Sequence, residues 1–203
     1  PFSRPTDAVI DEMQIRDFSI APNSGIQNKG KYLGVIETGT KTTKGTVSGL
    51  DHLKAMGVTH VQIMPMYDFA SVDESKPDTP QYNWGYDPEN YNVPEGSFSS
   101  DATNPQTRIL EAKEMIQGLH NNGLRVIMDV VYNHVYDPGK QSFQQTVPGY
   151  YFRYDENGKL ANGTGGGNDL ASDRAMARTY IVDSVTSWAT NYNIDGFRLD
   201  LMG

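Results

Sequence analysis

The chain contains no cysteine, which excludes disulfides and thiolate metal sites. No apolar run approaches the length of a membrane-spanning helix, so no membrane span is predicted. Positive charge is scarce: 17 Lys and Arg stand against 25 Asp and Glu, a net charge of -8. That balance argues against nucleic acid or an anionic membrane as partner and suits a neutral polar ligand. The glycine fingerprint of a dinucleotide site is missing after the first predicted strand. There is no strong internal repeat. A start methionine and a signal-like leader are also missing, since the chain begins Pro1-Phe2-Ser3-Arg4-Pro5 and stops directly after a strand signal. The expectation is a piece of a longer protein.

What remains is ordinary globular material. Charged residues make up 21% and aromatics 10% of 203 residues, enough for one sizeable core. Val9, Met13, Ile15 and Phe18 alternate loosely and predict a first strand over 8–19, followed by an exposed loop over 21–45. Val47, Leu50, Leu53 and Met56 recur at helical spacing and stop at Gly57. Residues 58–65 predict a second strand, and 66–103 a long loop of the kind that carries function. Asn104-Pro105 opens a helix whose buried face is predicted at Ile109, Ala112, Ile116 and Leu119. A nearly all-apolar third strand spans 125–131, as expected of a strand covered on both faces.

A second excursion, 132–170, ends in the glycine-rich 162–169. Without a strand-glycine-helix context this does not read as a phosphate cradle, and a flexible loop near a pocket mouth is expected instead. Ser172 is predicted to cap a last helix bearing Ala177, Ile181, Val185 and Trp188, before a fourth strand over 194–200. The order β-α-β-α-β-α-β shows no hairpin signal and implies a parallel sheet. Half of an eight-stranded α/β barrel fits, and so does an open doubly wound sheet. The long insertions follow strands two and three, and the candidate chemical residues follow or end strands two to four. In a barrel all of them would share the C-terminal face.

Arg198 and Asp200 lie two apart, so in a strand they project to one side. The arginine favours the ionised carboxylate, and an ionised carboxylate at a strand end suits nucleophilic attack on a sugar. Alone, such a triplet is more often a surface salt bridge. Two further stretches change that judgement: Asp129-Val130-Val131-Tyr132-Asn133-His134 and Tyr82-Asn83-Trp84-Gly85-Tyr86-Asp87-Pro88.

The first of these, with Asp195-Gly196-Phe197-Arg198-Leu199-Asp200, resembles the strand-three and strand-four motifs of the α-amylase superfamily of glycoside hydrolases. The second resembles the signature of type I pullulanases, and Asp200-Leu201-Met202-Gly203 continues in the same debranching-enzyme manner. The resemblance spans essentially the whole chain. It implies the first half, strands one to four, of a TIM (β/α)8 barrel, with the whole chain a partial catalytic domain. The implied activity is retaining hydrolysis of α-1,6 branch links in a branched α-glucan such as pullulan, amylopectin, glycogen or limit dextrins. Related readings are an isoamylase-like or branching enzyme, or a disabled glucan-binding barrel.

Roles follow from the same resemblance. Asp200 matches the nucleophile and Arg198 the arginine that holds it ionised. Asp129 matches a support that sits behind the pocket and pairs with the arginine. His134 matches a histidine that bonds a sugar hydroxyl, and Tyr86 an aromatic stacked on the sugar. Trp84, Tyr82 and Tyr91 are candidates to extend that platform. Asp87 is a candidate for a sugar hydroxyl, or alternatively a turn cap. Asn168 and Asp169 resemble a position near the cleft. Asn133 matches a residue that in many α-amylases helps bind calcium, which leaves a structural calcium open; no cofactor is implied for the chemistry.

The general acid and a third carboxylate are implied beyond residue 203. Glu95, Glu111, Glu114 and Glu156 stand in no motif that replaces them, so the segment alone is expected to be inactive. Accessory glucan-binding domains are expected in the intact protein. Acidity, absence of cysteine and a polymeric substrate point to an extracellular or cell-surface setting, with the cytoplasm as the alternative.

Overall fold

A computed structural model of the chain describes residues 4–201. Pro1, Phe2 and Ser3 lie outside the described residues, as do Met202 and Gly203, the last two residues of the debranching-type stretch. The first strand, β1, is short (Ile10–Met13). It ends where Gln14 caps α1 (Ile15–Ser19), its side-chain oxygen accepting from Asp17 N at 2.7 Å. The predicted 8–19 strand is therefore wrong beyond Met13. Ile15 and Phe18 lie three apart and share a helix face, a spacing that the loose alternation disguised.

The predicted exposed loop contains α2 (Tyr32–Val35). Tyr32 is fully buried there, and its hydroxyl donates to Glu95 O at 2.9 Å. Helix α3 (Gly49–Ala55) leads into β2 (His60–Ile63). The next excursion holds an antiparallel pair, β3 (Tyr67–Phe69) and β4 (Pro88–Pro94), which the sequence did not signal because about twenty residues separate its strands. Helix α4 (Pro105–Asn121) follows, opened by Asn104, whose side chain accepts from Gln106 N. Its buried face holds Ala112, Met115, Ile116 and Leu119, whereas Ile109 is 38% exposed, contrary to expectation.

Then come β5 (Arg125–Val130), α5 (Ser142–Thr146), α6 (Ala175–Asn191) and β6 (Gly196–Leu199). Helix α6 starts after Arg174, not at Ser172, and no side chain caps it. Ala177 and Trp188 are buried on it as predicted, with Ser184 beside them, while Ile181 and Val185 are only half-buried.

The sheet order is β1-β2-β5-β6, and every neighbouring pair is parallel. Each crossover adds its strand on the same side as the one before. A doubly wound sheet reverses direction at its switch point, so this sequential order is that of half a barrel. Val61, Ile63, Val126, Met128 and Val130 are fully buried in the one core.

The 66–103 excursion is fastened to α4 by charge. Arg108 donates to Glu74 Oε1 at 3.0 Å and to Pro94 O at 3.3 Å, and its Nη1 lies 3.9 Å from Asp68. Glu95 is fully buried nearby and accepts from Ser97 N and Phe69 N. Burial pushes the Glu95 carboxyl up to about 8, against those two hydrogen bonds, and pushes Asp68 up to about 6. Both folded values lie above the ordinary carboxylate value of about 4. The folded state thus keeps protons that the unfolded chain has released. This contribution is complete below about pH 4 and is lost as pH climbs through the folded values. The expected outcome is a denaturation midpoint that falls between pH 5 and pH 8, at roughly those bounds, with a shallower fall in Glu95→Gln. Equal slopes in chemical denaturation would remove Glu95 as the cause.

Candidate active site

The functional candidates gather at the C-terminal ends of β2, β5 and β6. The β5–β6 register sets Asp129 directly opposite Arg198. Asp129 is 1% exposed, and Arg198 Nη1 reaches both its oxygens at 3.1 Å. The same nitrogen donates to Asp200 Oδ1 at 2.6 Å. Asp200 N continues the ladder to Val130 O at 2.9 Å, which keeps positions 198 and 200 on one side as the sequence predicts. Burial tends to lower the Arg198 pKa, but its bonds to Asp129 and Asp200 outweigh that and raise it. For Asp129 burial wins: its carboxyl is raised despite the Tyr86 and Arg198 bonds.

Tyr86 arrives from the β3–β4 connection and donates its hydroxyl to Asp129 Oδ2 at 2.7 Å. Burial, then the bond to Asp129, raises its pKa. The turn that delivers it is built from its own motif. Gly85 has φ +91°, and a Cβ there would sit 2.6 Å from Pro65 O, so only glycine fits. Gly85 N donates to Asn83 Oδ1 at 2.7 Å, and Asn83 Nδ2 donates to Asp87 Oδ1 at 2.8 Å. Asp87 Oδ2 accepts from Ser71 N at 3.0 Å and from the Ser71 hydroxyl. Gln14, at the end of β1, donates to Asn83 O at 3.1 Å. Of the two readings of Asp87, the geometry supplies the turn-tying one: both carboxylate oxygens are engaged within the loop.

Tyr82 and Trp84 are 57% and 56% exposed, edge to face with centroids 6.4 Å apart. Tyr91 does not join them. It is buried among Tyr67, Tyr132 and Tyr180, and its hydroxyl donates to His134 O at 2.6 Å. A position on β4 that faces the core decides this, and the sequence showed no periodicity there.

Asn133 Nδ2 donates to Asp200 O at 2.8 Å and lies 3.5 Å from Asp200 Oδ2; its amide oxygen meets His134 Nδ1. Burial lowers the His134 pKa, although a bond with the Tyr86 backbone and the nearby Asp200 charge oppose it. The imidazole is therefore biased to its neutral form. Asn168 and Asp169 tie down the 162–170 segment: Asn168 bonds the Val135 backbone, and Asp169 accepts from Gly163 and Thr164. Burial opposes the hydrogen bonds from Thr164 and Gly163 at Asp169, and the bonds win, lowering its pKa.

Asn133, the residue that the resemblance links to calcium, spends its amide group on Asp200 and His134. Among the described residues, one carboxylate trio has metal-like spacing: Asp68, Glu74 and Glu95. Arg108 already supplies the positive charge there. None of the described helices is long and apolar enough to cross a membrane.

Comparison with known proteins agrees with this arrangement. The profile of the alpha-amylase catalytic domain matches residues 28–158. Pullulanase of Bacillus subtilis (strain 168) is 57% identical over 203 residues, which are 100% of this chain and 28% of that protein. Pullulanase 1, chloroplastic, of Arabidopsis thaliana is 36% identical, over 98% of this chain and 23% of that one. The crystal structure of Paenibacillus barengoltzii pullulanase in complex with maltohexaose and alpha-cyclodextrin superposes with a TM-score of 0.98 at 57% identity, covering 100% of this chain and 32% of that chain. The chain thus spans less than a third of the length of these relatives. With its sequential parallel strands and its Asp129–Arg198–Asp200 cluster, the chain belongs to the alpha-amylase catalytic-domain family and is similar along its whole length to the pullulanases of that family.

Proposed function

We propose that the protein carrying this chain hydrolyses α-1,6-glucosidic links of branched α-glucans with retention of configuration. One observation carries the reading: the Asp200 carboxylate stands at a parallel-strand end, on a guanidinium that is itself held by a buried carboxylate. Asp200 attacks the anomeric carbon. The bond from that carbon to the leaving oxygen breaks, and a glycosyl ester forms. The leaving oxygen takes a proton from an acid, which the resemblance assigns to a glutamate after a later strand. Water then attacks the same carbon, returns a proton to that acid and frees Asp200.

Arg198 keeps the nucleophile charged and aimed. Tyr86, anchored through its hydroxyl, offers a fixed ring face to the pyranose, and His134 bonds a sugar hydroxyl from a largely buried position. Tyr82 and Trp84 extend an apolar rim suited to further glucose units. The maltohexaose named for the Paenibacillus barengoltzii pullulanase supports a glucan ligand for this chain as well.

Three outcomes are expected of the complete protein. It releases maltotriose from pullulan and leaves linear amylose intact; the reverse preference would point to another glucan enzyme of the family. Asp200→Asn lowers turnover by about 10⁴-fold or more while glucan binding persists in a pull-down with insoluble glucan. Near-normal turnover would end the nucleophile assignment. Tyr86→Phe keeps the ring but loses the hydrogen bond to the Asp129 carboxylate, and stability in urea drops by about 1.5–3 kcal/mol.

A further inference from the structure

The glycine-rich stretch 162–167 is not loose. Asp169 accepts from Gly163 N at 2.7 Å, Thr164 N at 3.0 Å and Thr164 Oγ1 at 2.8 Å. Asn162 Oδ1 accepts from Gly167 N at 2.6 Å. Asn168 is 1% exposed and bonds Val135 in both directions, at 3.0 and 2.7 Å. Leu170 N donates to Asn133 O at 2.8 Å. The loop is therefore pinned to the residue on each side of His134.

Between these pins, the backbone of Gly166 lies on the imidazole. A Cβ at Gly166 would sit 2.5 Å from His134 Cγ, 2.7 Å from Cδ2 and 2.9 Å from Nδ1. Proximity to three ring atoms means contact with the ring itself, not with a movable tip. Gly165 and Gly167 have φ +80° and +87°, so glycine there serves the backbone. Gly166 has no such conformation, and what requires glycine at that position is the ring.

We propose that the 162–167 loop is a positioning element for His134, with Gly166 the residue that sets where the imidazole lies. This rests on the reading of the site as a glucan hydrolase and deepens it. Gly166 touches no substrate; it acts through the histidine. Asn133 holds Nδ1, Tyr91 holds the carbonyl and Gly166 closes one ring face, so the imidazole has little room to rotate. Such preorganisation matters because displacing a sugar-bonding group by a fraction of an ångström weakens a contact that tightens as the sugar ring distorts.

The test uses the complete protein with pullulan. Gly166→Ala is expected to lower kcat/KM by about ten- to a hundredfold. The loss falls mainly in kcat, because glucose units remote from the cleavage point supply most ground-state binding. In a His134→Ala background the same substitution has no ring to meet and costs less than about twofold. Gly165→Ala is the control: it strains the backbone but meets no atom within 4 Å, so it lowers kcat less than Gly166→Ala. Equal losses at 165 and 166, or full additivity with His134→Ala, would overturn the proposal. The cycle is also read in thermal midpoints, where the penalty of Gly166→Ala must vanish with the imidazole. That readout stands even if wild type leaves pullulan intact, an outcome that would sink the hydrolase reading alone. Should Gly166→Ala fail to fold, its rescue by His134→Ala decides the question.

Discussion

A single guanidinium organises this molecule. Arg198 Nη1 lies between two carboxylates, the buried one of Asp129 and the more accessible one of Asp200. A carboxylate with almost no solvent contact is costly unless a charge and hydrogen bonds meet it. Asp129 has both, from Arg198 and from the Tyr86 hydroxyl. Losing one member therefore leaves the others poorly compensated. Charge balance and ladder register together hold Asp200 in one place.

The two long excursions matter because buried bonds tie them down. The first is clamped by Arg108 on Glu74 and Pro94, and its aromatic turn is tied down through Asn83, Asp87 and Ser71. The second folds back through Asn168 onto Val135. Tyr91 connects the two: its ring packs in the core, its hydroxyl holds the His134 carbonyl, and its own carbonyl accepts from Trp188 Nε1 at 2.9 Å. Binding residues on loops gain precision when the supporting contacts are buried and satisfied.

Much of the scaffold was legible because hydrophobic periodicity is a local signal. The runs around His60–Ile63, Arg125–Val130 and Gly196–Leu199 read as strands, and Ala112, Ile116 and Leu119 as a helix face. Errors fell where local and distant demands diverge. The 8–19 stretch mixes a four-residue strand with a one-turn helix, each too short to impose a period. The pairing of Tyr67–Phe69 with Pro88–Pro94 depends on residues far apart in the chain. Tyr91 looked like one more loop aromatic, and only its place on β4 turns it inward.

The alternation of strands and helices, the pairing of Arg198 with Asp200 and the chemical identity of the cluster came from the sequence alone, since each depends on short-range spacing or on residue type. The tertiary structure decided the rest. It bore out the half barrel that the family resemblance implied, against the doubly wound sheet that the strand pattern alone left open, and set Asp129 opposite Arg198 across 69 residues. It turned Asp87 to its own loop and laid a glycine backbone on His134. The reason is physical: side-chain alternation is written within a strand, but the register between strands and the seat of a loop follow from packing and hydrogen bonding between segments that have no sequence relation to one another.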